Sequence, residues 1–421
     1  MRLRVCTLAI AAALPLRAFA QEPPPPPPPA TAVPASGEMP PAEKPASPQA
    51  PAATPPAPPA VMVTPPPPPP PAPAAAIPAP KFTWGGLVDT YYLFNFIRES
   101  GANTLTPPVG RAFDTNANSF TVALAKLSLN AAMDPVSFQL DLGYGSVGTI
   151  INSAGAPPSA TPSAPANVGG SFLLEQAFAT IALPGNLTLD FGKFVTTAGA
   201  EVIEANKNWL YSRSFLFNAI PLLHTGVRAN LKVSDQLTLQ ASVVNGWNND
   251  PDWNAWKTIG LSATVTINPM ATAILTAYFG KEAVQGAMDS STPGDLRVLI
   301  DAVGAFTLSD KFGLNLNIDY IKAWDNFADD YQVGAALMGR FVLSDSAYVA
   351  ARGEFLRTKA TVYTGAVTTT VEEGTLMLGL PVGKNFELRP EVRADFSGDN
   401  VYAGGTKKSQ FTGEIAALAF F

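Results

Sequence analysis

Residues 386–396 read Phe-Glu-Leu-Arg-Pro-Glu-Val-Arg-Ala-Asp-Phe. In an extended chain Phe386, Leu388, Val392, Ala394 and Phe396 fall on one side, and Glu387, Arg389, Glu391, Arg393 and Asp395 on the other. This is the two-residue period of a β-strand with one oily and one ionic face. Charges cannot face lipid, where a cation costs about 2–4 kcal/mol at mid-membrane. They must line enclosed water, and their mixed signs let them pair along the wall. Pro390 falls on the oily face without a ladder donor, which predicts a local bulge.

The same rhythm extends backwards through the chain. Alternation places Lys126, Asp141, Arg297, Asp301, Asn315, Asn317, Asp319, Gln332, Arg340, Arg352 and Glu354 on inward faces. The segment 171–183 does not alternate cleanly, and Glu175 and Gln176 take no face from sequence. Between the alternating segments two kinds of connection take turns. Short, turn-like ones occur at 133–135, 184–186, 234–236, 268–269, 309–311, 344–346 and 382–384, rich in Asp, Asn, Gly, Ser and Pro. Longer ones fall at about 98–118, 147–170, 196–221, 247–255, 282–294, 323–330, 358–370 and 398–408. Short connections on one side and long on the other are the asymmetry of outer-membrane barrels. The expected fold is all-β: a 16-stranded antiparallel transmembrane β-barrel over residues 81–421. That many strands enclose an aqueous channel rather than a packed core. Aromatics near strand ends, among them Trp84, Phe96, Tyr144, Phe341, Phe396 and Phe421, suit interfacial girdles.

Composition agrees. The 421 residues are 47% hydrophobic and only 14% charged. Apolar runs stay shorter than a spanning helix requires. The formal charge of −6 and the lack of basic patches set nucleic acid aside as a partner. Arg2 and Arg4, the apolar stretch 5–16 and the Ala18-Phe19-Ala20 site predict a signal peptide over residues 1–20. The single cysteine, Cys6, lies inside it, so no disulfide framework or thiolate metal site is expected. Residues 21–80 carry two runs of seven prolines and predict a disordered linker inclined to polyproline II. At about 3.1 Å per residue it reaches at most about 190 Å. An even strand count puts both termini on the periplasmic side, so this arm hangs in the periplasm, where a contact with peptidoglycan is the sharper of two readings and a plain spacer the other.

The long connection 196–221 separates two alternating segments and carries Glu201, Glu204, Lys207, Trp209, Tyr211 and Arg213. Its length in an otherwise compact design points to a role. The expectation is that it bends inward, with Glu201 and Glu204 facing basic wall residues such as Arg228 or Arg297 across a constriction. Opposed charges there would filter solutes by charge and size. His224 is the sole histidine, so any Ser-His-acid triad or histidine metal site would need it. Its inward position beside Thr225-Gly226 predicts a hydrogen-bonded wall residue instead. Asn249-Asp250-Pro251-Asp252 could hold a hard cation but lacks EF-hand spacing, and a solvated acidic loop is preferred. No catalytic residue, metal or cofactor is expected.

The runs FGKFVTTAGAEVIEANKNWLYSRSFLF (191–217), IPLLHTG (220–226) and VVNGWNND (243–250) resemble the OmpL-like family of β-barrel porins, beta-barrel porin-2. The resemblance covers residues 82–421. It departs at Ala198-Gly199-Ala200, where that family carries a Pro-Gly-Tyr type of sequence. It implies a Gram-negative outer-membrane porin, and Phe421 is similar to the terminal aromatic that such proteins present to the barrel assembly machinery. The expected function is passive diffusion of small hydrophilic solutes or ions through the outer membrane. The alternative is a structural anchor in outer-membrane lipid, with the Pro-rich arm as its working part. Analogy with classical porins suggests a homotrimer.

Overall fold

The computed structural model of the chain describes residues 80–97, 101–102, 111–154, 171–252, 254–282, 295–324, 329–362 and 365–421. The expected leader and the Pro-rich arm, except Pro80, lie outside these residues, as do parts of several expected long loops.

The described chain is built of long strands: β1 (Lys81–Asn95), β2 (Ser119–Met133), β3 (Val136–Tyr144), β4 (Phe172–Leu183), β5 (Leu187–Val195), β6 (Leu223–Lys232), β7 (Leu237–Val244) and β8 (Thr258–Asn268). There follow β9 (Ala271–Glu282), β10 (Asp295–Thr307), β11 (Phe312–Trp324), β12 (Asp329–Ser344), β13 (Ala347–Val362), β14 (Gly365–Val382), β15 (Phe386–Ser397) and β16 (Ser409–Phe420). Each pairs antiparallel with the next, and β1 pairs with β2 on one edge and β16 on the other. The sheet therefore closes on itself as a 16-stranded barrel, which leaves no edge of unpaired backbone to meet lipid. Two-residue strands at Gly101–Ala102 and Asn116–Ala117 extend the wall in the first long connection. The connections also hold two helices, α1 (Ser146–Ala154) and α2 (Phe215–Ala219).

All seven short connections fall where turn chemistry put them. The turn after β4 shows why: Gly185 and Asn186 adopt left-handed backbone, with φ of 82° and 59°, which glycine and asparagine tolerate best. Two of the eight expected long loops are corrected. Strand extends into both ends of 323–330, where β11 runs to Trp324 and β12 starts at Asp329, and 358–370 is mostly strand, where β13 runs to Val362 and β14 starts at Gly365. Thr358, Thr361 and Thr368 to Thr370 are β-branched, and their polarity marked a loop where their shape favours a pleated strand.

Alternation is as expected in β15. Glu387, Arg389, Glu391, Arg393 and Asp395 are buried, while Val392 and Phe396 are 56% and 43% exposed. The bulge expected at Pro390 is absent. Pro390 pairs with Ile415 and the β14–β15 register is the same on either side of it, from Met377↔Glu391 to Leu380↔Leu388. Its missing N–H costs a ladder bond without adding a residue. A bulge does occur in β4: Asp141 pairs with Gln176 and Leu142 with Leu174, so Glu175 is the extra residue. Glu175 and Gln176 are therefore both buried, which is why that strand did not alternate. Exposed aromatics gather at both rims, with Trp84, Phe341 and Phe421 near the short turns and Phe96, Phe120, Tyr144 and Phe396 near the long connections.

Candidate functional site

The connection 196–222 runs inside the barrel. An irregular segment buried there must find partners for its backbone groups, and the inward side chains of the wall provide them. Ala200 N donates to Asn317 Oδ1 on β11 at 3.0 Å. Tyr211 N and Ser212 N donate to the Glu391 carboxylate on β15 at 2.8 and 3.2 Å. Phe215 N and Leu216 N, at the start of α2, donate to Glu354 on β13, while Ser214 Oγ caps the same helix by accepting from Phe217 N at 3.0 Å. The carbonyls are matched by arginines. Arg389 donates to Ala205 O and Asn208 O at 2.7 and 3.0 Å, Arg352 to Ser212 O at 2.7 Å, and Arg393 to Arg213 O at 2.7 Å. Side-chain contacts complete the attachment: Tyr211 Oη donates to Asp89 on β1 at 2.8 Å, and Thr197 meets Tyr278 Oη on β9 at 3.0 Å. Burial pushes the Tyr211 phenol well above its ordinary pKa, which keeps it a donor.

Apolar packing adds to these bonds. Leu210, Phe215, Leu216 and Phe217 are buried in one cluster with Leu87, Tyr91 and Leu93 of β1, Met338 of β12 and Leu356 of β13. A second segment, 111–117, lies on the same cluster. Phe113 meets Phe217 edge to face at 5.6 Å, and Arg111 donates to Thr412 at 3.0 Å and pairs with Asp114. Nothing in the pattern of residues 98–118 announced this inward course. Gly199 sits at a bend with φ of 88°, where a Cβ would lie 2.5 Å from Ile220 Cδ1. The bend thus needs the glycine that Ala198-Gly199-Ala200 keeps.

Glu201 and Glu204, expected to face basic wall residues such as Arg228 or Arg297 across a constriction, are in direct contact with other cations. Glu201 accepts from Arg352 at 3.0 Å and from Ser214 N at 2.9 Å. Glu204 accepts from Lys126 and Lys207, both at 2.7 Å. Burial alone would raise the Glu204 pKa, but the two ammonium groups outweigh it and hold it down at about 2. Arg213 turns back on its own loop, donating to Val202 O at 3.2 Å and Ile203 O at 2.5 Å. Arg228 is bound to Asp190 at 2.8 Å and lies 4.2 Å over the Phe194 ring, while Arg297 lies 5.1 Å over Trp247. Arg228 on β6 lies across the barrel from Arg352 on β13, while Arg297 on β10 is three strands from it, and sequence could place all three inward but could not choose among them. Lys207 is the loop charge that stays open, its side chain 46% exposed.

The remaining wall residues take their places around this loop. Lys126 Nζ lies 3.0 Å from Asp141, 2.6 Å from Glu175 and 2.7 Å from Glu204, and the three carboxylates converge on it. Asp301 and Asp319 are directly opposed on β10 and β11, and Asn317 Nδ2 bridges them at 2.7 and 2.9 Å. Arg352 also binds Glu373 at 2.5 Å, Arg389 binds Glu387 at 3.0 Å, and Arg393 binds Asp395 at 2.6 Å. Arg340 lies over the Tyr348 ring at 4.1 Å. His224 is buried, with Nδ1 2.9 Å from Gly246 O and Nε2 3.3 Å from Thr196 Oγ1, and its ring stacks on Tyr278 at 4.6 Å. Both ring nitrogens are engaged at the base of the loop. In the acidic loop, Asp250 pairs with Lys193 at 3.2 Å and Asp252 with Lys257 at 2.5 Å.

Comparison with known proteins matches this architecture. No curated protein matches the sequence. Among solved structures, in-vitro folded OmpT of Vibrio cholerae is similar with a TM-score of 0.54 at 12% identity, over 83% of this chain and all of that one. The outer membrane channel DcaP of Acinetobacter baumannii gives 0.54 at 12%, over 82% of this chain and 98% of that one. An anion-selective porin from Comamonas acidovorans gives 0.54 at 14%, over 81% of this chain and all of that one. At such identities the likeness carries the barrel fold alone. The family model described as "Putative beta-barrel porin-2, OmpL-like" matches residues 81–421, the whole of the barrel. The chain therefore belongs to that family of outer-membrane porins.

Proposed function

We propose that this porin works by passive diffusion of small hydrophilic solutes, with the loop 196–222 as its constriction. The observation that carries the reading is the attachment of that loop to inward side chains of β1, β2, β9, β11, β13 and β15. A segment bound on so many sides narrows whatever passes it and does not swing aside. Glu201, Glu204 and Arg213 act as fasteners, the two carboxylates paired with Arg352 and Lys126 and the guanidinium held by loop carbonyls, and Lys207 offers the most exposed charge of the loop. Arg228 and Arg297 act as wall residues beside the aperture. Transport needs no turnover chemistry, so His224 serves the loop's base. In planar bilayers the Glu201→Ala, Glu204→Ala variant should show raised conductance and admit larger solutes. Conductance and size cut-off equal to wild type would defeat the constriction.

The C-terminal strand supports a further part of the reading, that Phe421 is presented to the assembly machinery: its ring is 65% exposed at the rim. For oligomeric state, a trimer form of Vibrio cholerae OmpT is known, and a homotrimer is proposed here on that likeness. The outward direction of the long connections and a periplasmic arm follow from the same assignment.

A further inference from the structure

The inner wall is divided by chemistry. The ionic residues of β13 and β15 are sealed beneath the loop, with Arg352, Arg389 and Arg393 only 2–3% exposed. Across β2 to β7, one layer in from the short turns, the inward positions are neutral: Asn130, Gln139, Thr180, Thr188, Asn230 and Gln240. All six are half-buried, so they contact both the wall and the lumen.

They lie in one row as two bonded groups, Asn130 with Gln139, and Thr180, Thr188, Asn230 and Gln240 around Asp190. Asn130 Nδ2 donates to Gln139 Oε1 at 3.3 Å, and Gln139 Nε2 to Asp141 at 2.6 Å. Thr180 Oγ1 donates to Asp190 at 2.7 Å, Asn230 Nδ2 to Thr188 Oγ1 at 3.2 Å and to Asp190 at 3.0 Å, and Gln240 Nε2 to Asn230 Oδ1 at 2.7 Å. The register explains the row, since Asn130 faces Gln139, Thr188 faces Asn230 and Asn230 faces Gln240 on neighbouring strands. The carboxylates it touches are already compensated, Asp190 by Arg228 at 2.8 Å and Asp141 by Lys126 at 3.0 Å.

An amide carries two donors and a carbonyl acceptor, and a hydroxyl both donates and accepts. The internal bonds fix these groups without exhausting them. A sugar hydroxyl is matched to such a surface, because it too donates and accepts and can exchange one wall–water bond for another. A small ion gains little from it. Resting on the channel reading above, we infer that the row is a binding track for uncharged polyhydroxylated solutes such as sugars and polyols. Each contact is weak, and several in series along the wall bind a solute enough to enter and too little to stay.

The test uses the full chain in a planar bilayer with potassium chloride as the charge carrier. Sucrose, a polyethylene glycol of matched radius and gluconate are added in separate runs. Sucrose should lower the current with saturable concentration dependence, and the other two should not saturate. An Asn130→Ala, Gln240→Ala variant should keep the wild-type salt conductance, which reports an intact barrel. Its half-saturating sucrose concentration should rise on the order of tenfold, as for the loss of one or two solute hydrogen bonds. Sucrose acting no differently from the polymer, or a variant that saturates like wild type, would overturn the track while leaving the channel standing. Wild-type protein with no salt conductance would overturn the channel reading, and the track with it.

Discussion

Arg352 joins its own strand β13 to the wall strand β14 through Glu373 and to the loop through Glu201 and Ser212 O. Its guanidinium is fully buried, so truncation leaves two carboxylates without their cation. Arg352→Leu should cost about 3–5 kcal/mol, read as a lower urea midpoint for the detergent-folded barrel. Arg352→Lys should recover only part, since an ammonium cannot fork between acceptors. Tyr211→Phe removes the bond to buried Asp89 and should cost about 1–3 kcal/mol in the same titration. At this scale alternation alone marked Arg352, Glu354 and the β15 charges as inward. Their partners were not legible, because a strand's period fixes the side a residue faces and says nothing of which loop atom reaches it. Glu201 was singled out from its loop, and its pairing with Arg352 in place of Arg228 or Arg297 depends on where the bend at Gly199 sends the chain.

Single strands were legible in proportion to the contrast between their two faces. β15 has charge on one face and oil on the other, and it took its place without ambiguity. β1 lacks that contrast. Its inward Leu87, Tyr91 and Leu93 are as apolar as its outward Val88, Tyr92 and Phe94, because the inward set packs on Leu210 and Phe215 of the loop. A lumen that contains its own small hydrophobic cluster erases the signal by which a lumen is recognised. β4 was obscured by one extra residue, Glu175, whose bulge turns two consecutive polar side chains inward. The outward face makes its own prediction. Val392→Arg on β15 should cost about 2–4 kcal/mol on folding into vesicles if the site lies near mid-membrane, measured by denaturant titration. A smaller penalty would place that position at the rim.

The whole barrel depends on one seam, where β16 returns to β1. There Phe421 N donates to Gly86 O at 3.1 Å and Gly86 N to Phe421 O at 3.2 Å, while the Phe421 ring meets Trp84 edge to face at 5.1 Å. A Cβ on Gly86 would lie 2.5 Å from the Phe421 ring. Gly86→Val should therefore lower the yield of closed barrel, seen as loss of the heat-modifiable band on gels, while Gly185→Ala in an open turn should not act through such a clash. The sheet's closure and strand count were legible from the turns, but the seam's fit was not, because its partners are more than three hundred residues apart. The loop has a mechanical consequence for the same hoop. A cylinder of hydrogen-bonded strands ovalises easily, since flattening it breaks few bonds. Here a strut joins opposite arcs of the circumference, from β1 and β15 across to β9 and β11. Squeezing along that diameter compresses the strut, and stretching it pulls on the hydrogen bonds that anchor it. The proposed aperture should thus keep its shape under lateral pressure from the bilayer, with current through it nearly constant as membrane tension is varied.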